Sequence, residues 1–113
     1  MPFKIKRAYE SAAKTDGMRV LVDRLWPRGV KKSDAQLAHW LKDVAPSPKL
    51  RTWFGHRPER FAEFRRRYLA ELEDNTALAD LKRLGRGRTV SLIYAARDPQ
   101  VNHAVVLLGA LRA

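Results

Sequence analysis

The sequence predicts an α/β fold: a small, mostly parallel sheet of three or more strands flanked by helices in Rossmann-like layering. Three observations predict it. Residues 19–26 and 89–96 are β-branched, apolar runs with little alternation, as expected of strands covered on both faces in a parallel sheet. Between them lie several segments of helical spacing, long enough for the crossover that parallel neighbours require. Directly after the second run, Asp98-Pro99 reads as the start of another helix. A chain of 113 residues supports one hydrophobic core, so a single domain over residues 1–113 is expected to carry every functional group.

The elements follow in order. Residues 3–9 set apolar Phe3 and Ile5 against Lys4 and Lys6, the alternation of an edge strand with one wet face. Asp16-Gly17 marks a turn into the second strand, whose polar end is Asp23-Arg24 and which Pro27 and Gly29 stop. The link between these two strands is too short for an ordinary helical crossover, so the first is either antiparallel or parallel through an atypical loop. Ser33 reads as the N-cap of a helix bearing Leu37, Trp40, Leu41 and Val44, which Pro46 and Pro48 end. A helical turn at 50–54 precedes the longest helix, 58–74, begun by Pro58 and striped by Phe61, Phe64, Tyr68 and Leu72. A shorter helix covers 77–84, and Gly85-Arg86-Gly87-Arg88 turns into the buried strand at 89–96. The last helix, with Val101, Ala104, Val105, Val106, Leu107, Leu108 and Leu111, is apolar almost all round, as for a helix sandwiched in the domain or packed in a homodimer.

Composition narrows the function. Hydrophobic residues make up 45% and charged residues 31%, which is globular, and the absence of cysteine excludes disulfides, thiolate nucleophiles and Cys-ligated zinc. No apolar run reaches bilayer length and the start lacks a signal-peptide core, so a cytoplasmic protein without a membrane partner is expected. The 23 basic and 12 acidic residues give +11, a field that attracts either nucleic acid or phosphorylated and carboxylated small molecules. His39, His56 and His103 show no paired ligand spacing, so no metal site is expected. Gly85-Arg86-Gly87 lacks the lysine and the glycine spacing of phosphate loops and precedes a strand, so it reads as a turn, and the cofactor is unknown. Trp26, Trp40 and Trp53 could stack bases but more simply fill the core.

Parallel sheets bind ligands outside the carboxyl ends of their strands. That edge collects Asp23 and Arg24 from one strand, Tyr94, Arg97 and Asp98 from the other, and Asn102 and His103 from the start of the last helix. Arg24 and Arg28 offer forks for a phosphate or carboxylate, Asp23 and His103 are the acid–base candidates, and Asn102 could orient a ligand. Structural roles compete: Asp23 and Arg24 closing the sheet edge by ion pairing, Asp98 capping the helix, His103 hydrogen-bonded in the core.

The string Asp23-Arg24-Leu25-Trp26-Pro27-Arg28-Gly29 resembles the YeaO-like family, a bacterial DUF488-type family of unknown function. So do Trp40-Leu41-Lys42-Asp43-Val44-Ala45-Pro46-Ser47, Leu50-Arg51, Phe54-Gly55-His56, Tyr94-Ala95-Ala96 and Asn102-His103-Ala104. The resemblance covers essentially the whole chain and implies no assigned activity. It adds Ser47 and Arg51 to the candidate ligand-binding residues, beside Asp23, Arg24, Arg28, Asn102 and His103. Arg57 departs from the aspartate usual before Pro58, which removes a carboxylate cap from the long helix. Three functions remain open: binding an anionic ligand at the strand edge, with or without catalysis; nucleic-acid binding by the basic surface; and an oligomeric interaction domain.

Overall fold

Four strands, all parallel, make up the sheet in the computed structural model, which describes residues 2–112: β1 (Phe3–Arg7), β2 (Met18–Leu21), β3 (His39–Trp40) and β4 (Val90–Tyr94). Their order is β1-β4-β2-β3. β4 is central and buried along its whole length, which accounts for its unbroken apolar run. It pairs Val90 with Phe3 on one side and with Met18 on the other. β1 is therefore a parallel edge strand, reached through a loop that contains only the 3₁₀ turn Lys14–Asp16. Gly17 makes this loop possible. Its φ is +66°, and a Cβ there would run into the carbonyl oxygen of Thr89, which accepts the Met18 N–H at 2.9 Å.

Strand alternation gives the sheet two unlike faces. Phe3, Val20, Val22, Leu92 and Tyr94 point into the main core with side chains of α2 (Pro48–Phe54), α3 (Phe61–Glu73), α4 (Thr76–Leu84) and α5 (His103–Arg112). Leu21, Ile93 and Ala8 point the other way and are covered by Trp26, Val30 and Leu37 from the segment between β2 and β3 and by Trp40 of β3. The strand order explains the split. The chain steps outward from β2 to β3 and back from β3 to β4, so right-handed crossovers place the two connections on opposite faces. Further along the second face, Asp16, 2% exposed, takes Arg19 at 2.6 Å and Lys6 at 3.0 Å, and its carbonyl accepts from Ser91 Oγ at 2.7 Å.

The same split corrects the helix expected from Ser33 to Val44. The helix, α1, is only Lys32–Ala35, and Gln36 ends it in the left-handed region at φ 46°. Leu37 and Trp40 belong to the second face, whereas Leu41 and Val44 belong to the main core, so residues at helical spacing serve two cores. Trp40 enters β3, with Val44 in a 3₁₀ turn. Pro48 starts a helix rather than ending one: it is the first residue of α2, capped by Ser47. Asp98 does not cap α5. Its carboxylate accepts the Gln100 and Val101 N–H groups in a preceding turn, and α5 begins at His103. Within the chain, α5 buries Ala104, Val106, Leu107 and Leu111, leaves Val105, Leu108 and Ala110 half-buried, and exposes Gly109 and Arg112. No helix among the described residues is long and apolar enough to cross a membrane.

Candidate functional site

A cavity of about 550 Å³ lies at the carboxyl ends of β2 and β4, bounded by the loops that leave them, by the Ala45-Pro46 segment, by the α2–α3 corner and by the start of α5. Its position is that of ligand sites in parallel sheets. Seven of the residues singled out from the sequence line it together: Asp23, Arg24, Arg51, Arg97, Asp98, Asn102 and His103.

Asp23 follows β2 and is fixed at three points. Its carbonyl accepts the Trp40 indole N–H at 2.7 Å, its Oδ2 accepts the Ala95 N–H at 3.0 Å, and its Oδ1 lies 3.1 Å from His103 Nε2. That imidazole nitrogen is also 3.1 Å from the Val22 carbonyl and hydrogen-bonds there. Asp23 Oδ1 is thereby the one buried side-chain N or O atom, among the described residues, with no hydrogen bond. Arg24 packs against the Ala45-Pro46 segment, its Nε donating to Pro46 O and its Nη2 to Ala45 O, both at 3.3 Å. Only two of its five N–H donors are used in this way. Arg51, on α2, and Arg97, after β4, are exposed, and among the described residues neither forms an ion pair. Asn102 is 1% exposed and caps α5: Oδ1 accepts from Val105 N–H at 3.0 Å and Nδ2 donates to Asp98 O at 2.7 Å. Its amide holds the helix start that presents His103.

Arg28, Ser47 and Tyr94 do not line the cavity. Arg28 is exposed in the loop after Pro27, with its carbonyl accepting from Tyr9 Oη at 2.9 Å. Ser47 Oγ accepts from Leu50 N–H at 3.2 Å and donates to Glu71 Oε2 at 2.7 Å, joining α2 to α3. Tyr94 is buried in the main core, and desolvation raises its phenol pKa. Residues of β4 alternate between faces, so a side chain at the end of the strand need not open on the edge beyond it.

Sequence reasoning missed the apolar wall and one histidine. Phe54 and Phe64 stack with centroids 4.1 Å apart and line the cavity, as does His56 beyond the end of α2. The signal for His56 was the helix stop at Gly55: both residues are left-handed, at φ 54° and 56°, so the chain turns sharply back toward the site. Arg7 also escaped notice; it ends β1 and ties down the loop after β4 through Ala96 O at 2.8 Å and Ala95 O at 3.4 Å. Among the described residues there is no cluster of three or more His, Cys, Asp or Glu that could hold a metal ion.

Known proteins place this architecture in sequence space. A profile of the family described as "Inactive DUF488-N3 subclade" matches residues 2–113. An uncharacterised protein of Mycobacterium tuberculosis is 48% identical over 104 residues, 92% of this chain and 88% of its own, and one of Mycobacterium bovis matches equally. The uncharacterised protein YeaO of Escherichia coli is 42% identical over 116 aligned positions, covering 99% of this chain and 98% of its own. No solved structure matches.

Proposed function

The chain belongs to the YeaO-like DUF488 family, and we propose that it binds a small phosphate- or carboxylate-bearing molecule at the carboxyl edge of its strands. One observation carries the reading: Arg24, Arg51 and Arg97 line a single cavity of about 550 Å³, and among the described residues none of the three has a carboxylate partner. Guanidinium groups bind phosphate and carboxylate through paired charge-assisted hydrogen bonds, and a concave, partly apolar wall strengthens them by excluding water. Arg24 arrives pre-oriented by two carbonyls, while Arg51 is supplied by α2 and Arg97 by the loop after β4.

Recognition is favoured over turnover. Among the described residues no hydroxyl, thiol or amine side chain lines the cavity, which leaves Asp23, Asp98, His56 and His103 as its acid–base groups, and the matching subclade is described as inactive. The test is a thermal-shift and calorimetric titration at about 0.15 M salt with inorganic phosphate, pyrophosphate, malonate and short oligonucleotides. A small anion is expected to stabilise the protein, and Arg51→Gln and Arg97→Gln are each expected to weaken it about tenfold or more, the loss of one charge-assisted contact. Stabilisation by oligonucleotides alone, fading steeply with salt and indifferent to both substitutions, would replace this reading with nucleic-acid binding by the basic surface.

A further inference from the structure

The groups around His103 specify more than an anion. Its Nε2 lies 3.1 Å from the Val22 carbonyl and 3.1 Å from Asp23 Oδ1, both of which can only accept when the carboxylate is ionised. In the neutral ring the proton must therefore sit on Nε2, since a lone pair there would face two acceptors. Nδ1 is then the acceptor. It makes no hydrogen bond within the described residues and is not fully sealed from solvent, on a side chain that is 15% exposed and lines the cavity.

From this we infer that His103 selects ligands carrying an N–H or O–H donor in addition to their anionic group, with the Val22 carbonyl fixing the tautomer and the Asp23 carboxylate beside it. The inference rests on the anion-binding reading above and names the ligand class more closely. Three demands meet in one volume: guanidinium groups for the anion, the Phe54 and Phe64 wall with Leu25 and Val101 for an apolar, planar body, and Nδ1 for the donor. A donor hydrogen-bonded to Nδ1 draws positive character onto the ring. That charge develops 3.1 Å from Asp23 Oδ1, the buried oxygen with no hydrogen bond, so the ligand also relieves an unmet electrostatic demand of the free protein. The ligand chemistry is thus an anionic, planar molecule with a ring or phenolic donor, of a size that a pocket of about 550 Å³ accepts.

Two probe pairs keep the anion constant and replace the donor hydrogen by a methyl group, with His103→Phe as the control for added bulk: uridine 5′-monophosphate against its N3-methyl derivative, and 4-hydroxyphenylacetate against 4-methoxyphenylacetate. At about pH 8, where an ordinary imidazole is neutral, the donor-bearing member of at least one pair is expected to bind about tenfold or more tightly, the discrimination of a site that hydrogen-bonds its ligand. The pair that responds distinguishes a heterocyclic N–H from a phenolic O–H. His103→Phe is expected to bring the ratio to about one by weakening only the donor-bearing member. Two-bond ¹⁵N–¹H correlation spectra of the unsubstituted protein give a readout independent of any variant: His103 should show the Nε2-protonated tautomer, with Nδ1 shifting on addition of the donor-bearing probe. Equal affinity within both pairs, or the opposite tautomer, overturns the inference while leaving the anion site standing if phosphate binds and Arg51→Gln abolishes it. Failure of phosphate, pyrophosphate and all four probes overturns both.

Discussion

Asp16 shows how a single residue can be costly and stabilising at once. Burial alone would push its pKa up, but the Ala13 N–H at 2.9 Å and the Lys6 and Arg19 side chains outweigh it and bring the group from 3.8 down to about 2. Because the folded value lies below the unfolded one, the contribution is fully present above about pH 4 and is lost as the pH falls through about 2. It is expected to amount to about 1–2 kcal/mol, read as a fall in the urea midpoint between about pH 5 and pH 2. Asp16→Asn should remove that pH-dependent component. The variant should also lose about 3 kcal/mol at neutral pH, because Arg19, 4% exposed, would be left buried with the Ala35 carbonyl as its remaining partner. Sequence reading marked Asp16 only as a turn residue: its partners come from another strand and from three positions on, and nothing local distinguishes a buried aspartate from a solvated one. At the candidate site the balance is reversed. Asp23, Arg24, Asn102 and His103 were legible because they follow strand ends and a helix start, positions that topology alone brings to one edge.

Among the elements, those with one core to serve were readable. α3 carries Phe64, Tyr68 and Leu72 on one buried stripe, and its helical pattern appears in the structure within a few residues at each end, with the 3₁₀ turn Pro58–Arg60 as its first turn. The stretch from Ser33 to Val44 was not readable, because Leu37 and Trp40 serve one face of the sheet and Leu41 and Val44 the other. α2 is the instructive intermediate. Seven residues make a helix too short to persist alone, and it is held by Ser47 at its N-terminus and by Glu71 beyond. Glu71 accepts both the Ser47 N–H at 2.9 Å and its hydroxyl at 2.7 Å, so one carboxylate on α3 fixes the start of the helix that carries Arg51 and Phe54. Ser47→Ala is expected to cost about 1–2 kcal/mol, the loss of a cap and of a charge-assisted hydrogen bond, measured by urea denaturation. Glu71→Gln, which keeps one acceptor, should cost less. Both should weaken anion binding without removing any group that touches the anion, so the predicted signature is a lower affinity with the Arg51 and Arg97 contributions still measurable.

At the scale of the whole molecule, +11 is confined to a body of 35 × 31 × 20 Å. At about 0.01 M salt the screening length is about 30 Å, so most pairs of charges interact across the protein; at about 0.15 M it falls to about 8 Å and only neighbours do. Added salt is therefore expected to raise the melting temperature by a few degrees over that range, against the usual weakening of individual ion pairs. The charges are not equivalent, and this gives the prediction its sharper form. In α3, Glu63 pairs with Arg66 and Arg67, which holds its carboxyl at about 2 and neutralises part of the arginine run. Arg51 and Arg97 have no such partner and line one cavity with Arg24, so in the free protein they add repulsion that Asp23 and Asp98 on the same lining offset only in part. Arg51→Gln and Arg97→Gln should each raise the unliganded melting temperature at low salt, with the gain fading by about 0.15 M. Arg19→Gln, which changes net charge by the same amount, should lower it at both salt concentrations, because that guanidinium is buried against Asp16. Equal effects from all three would mean that net charge alone governs stability; opposite signs would mean that the strand-edge cluster is held together at a cost, as expected of cations placed for something outside the chain to neutralise.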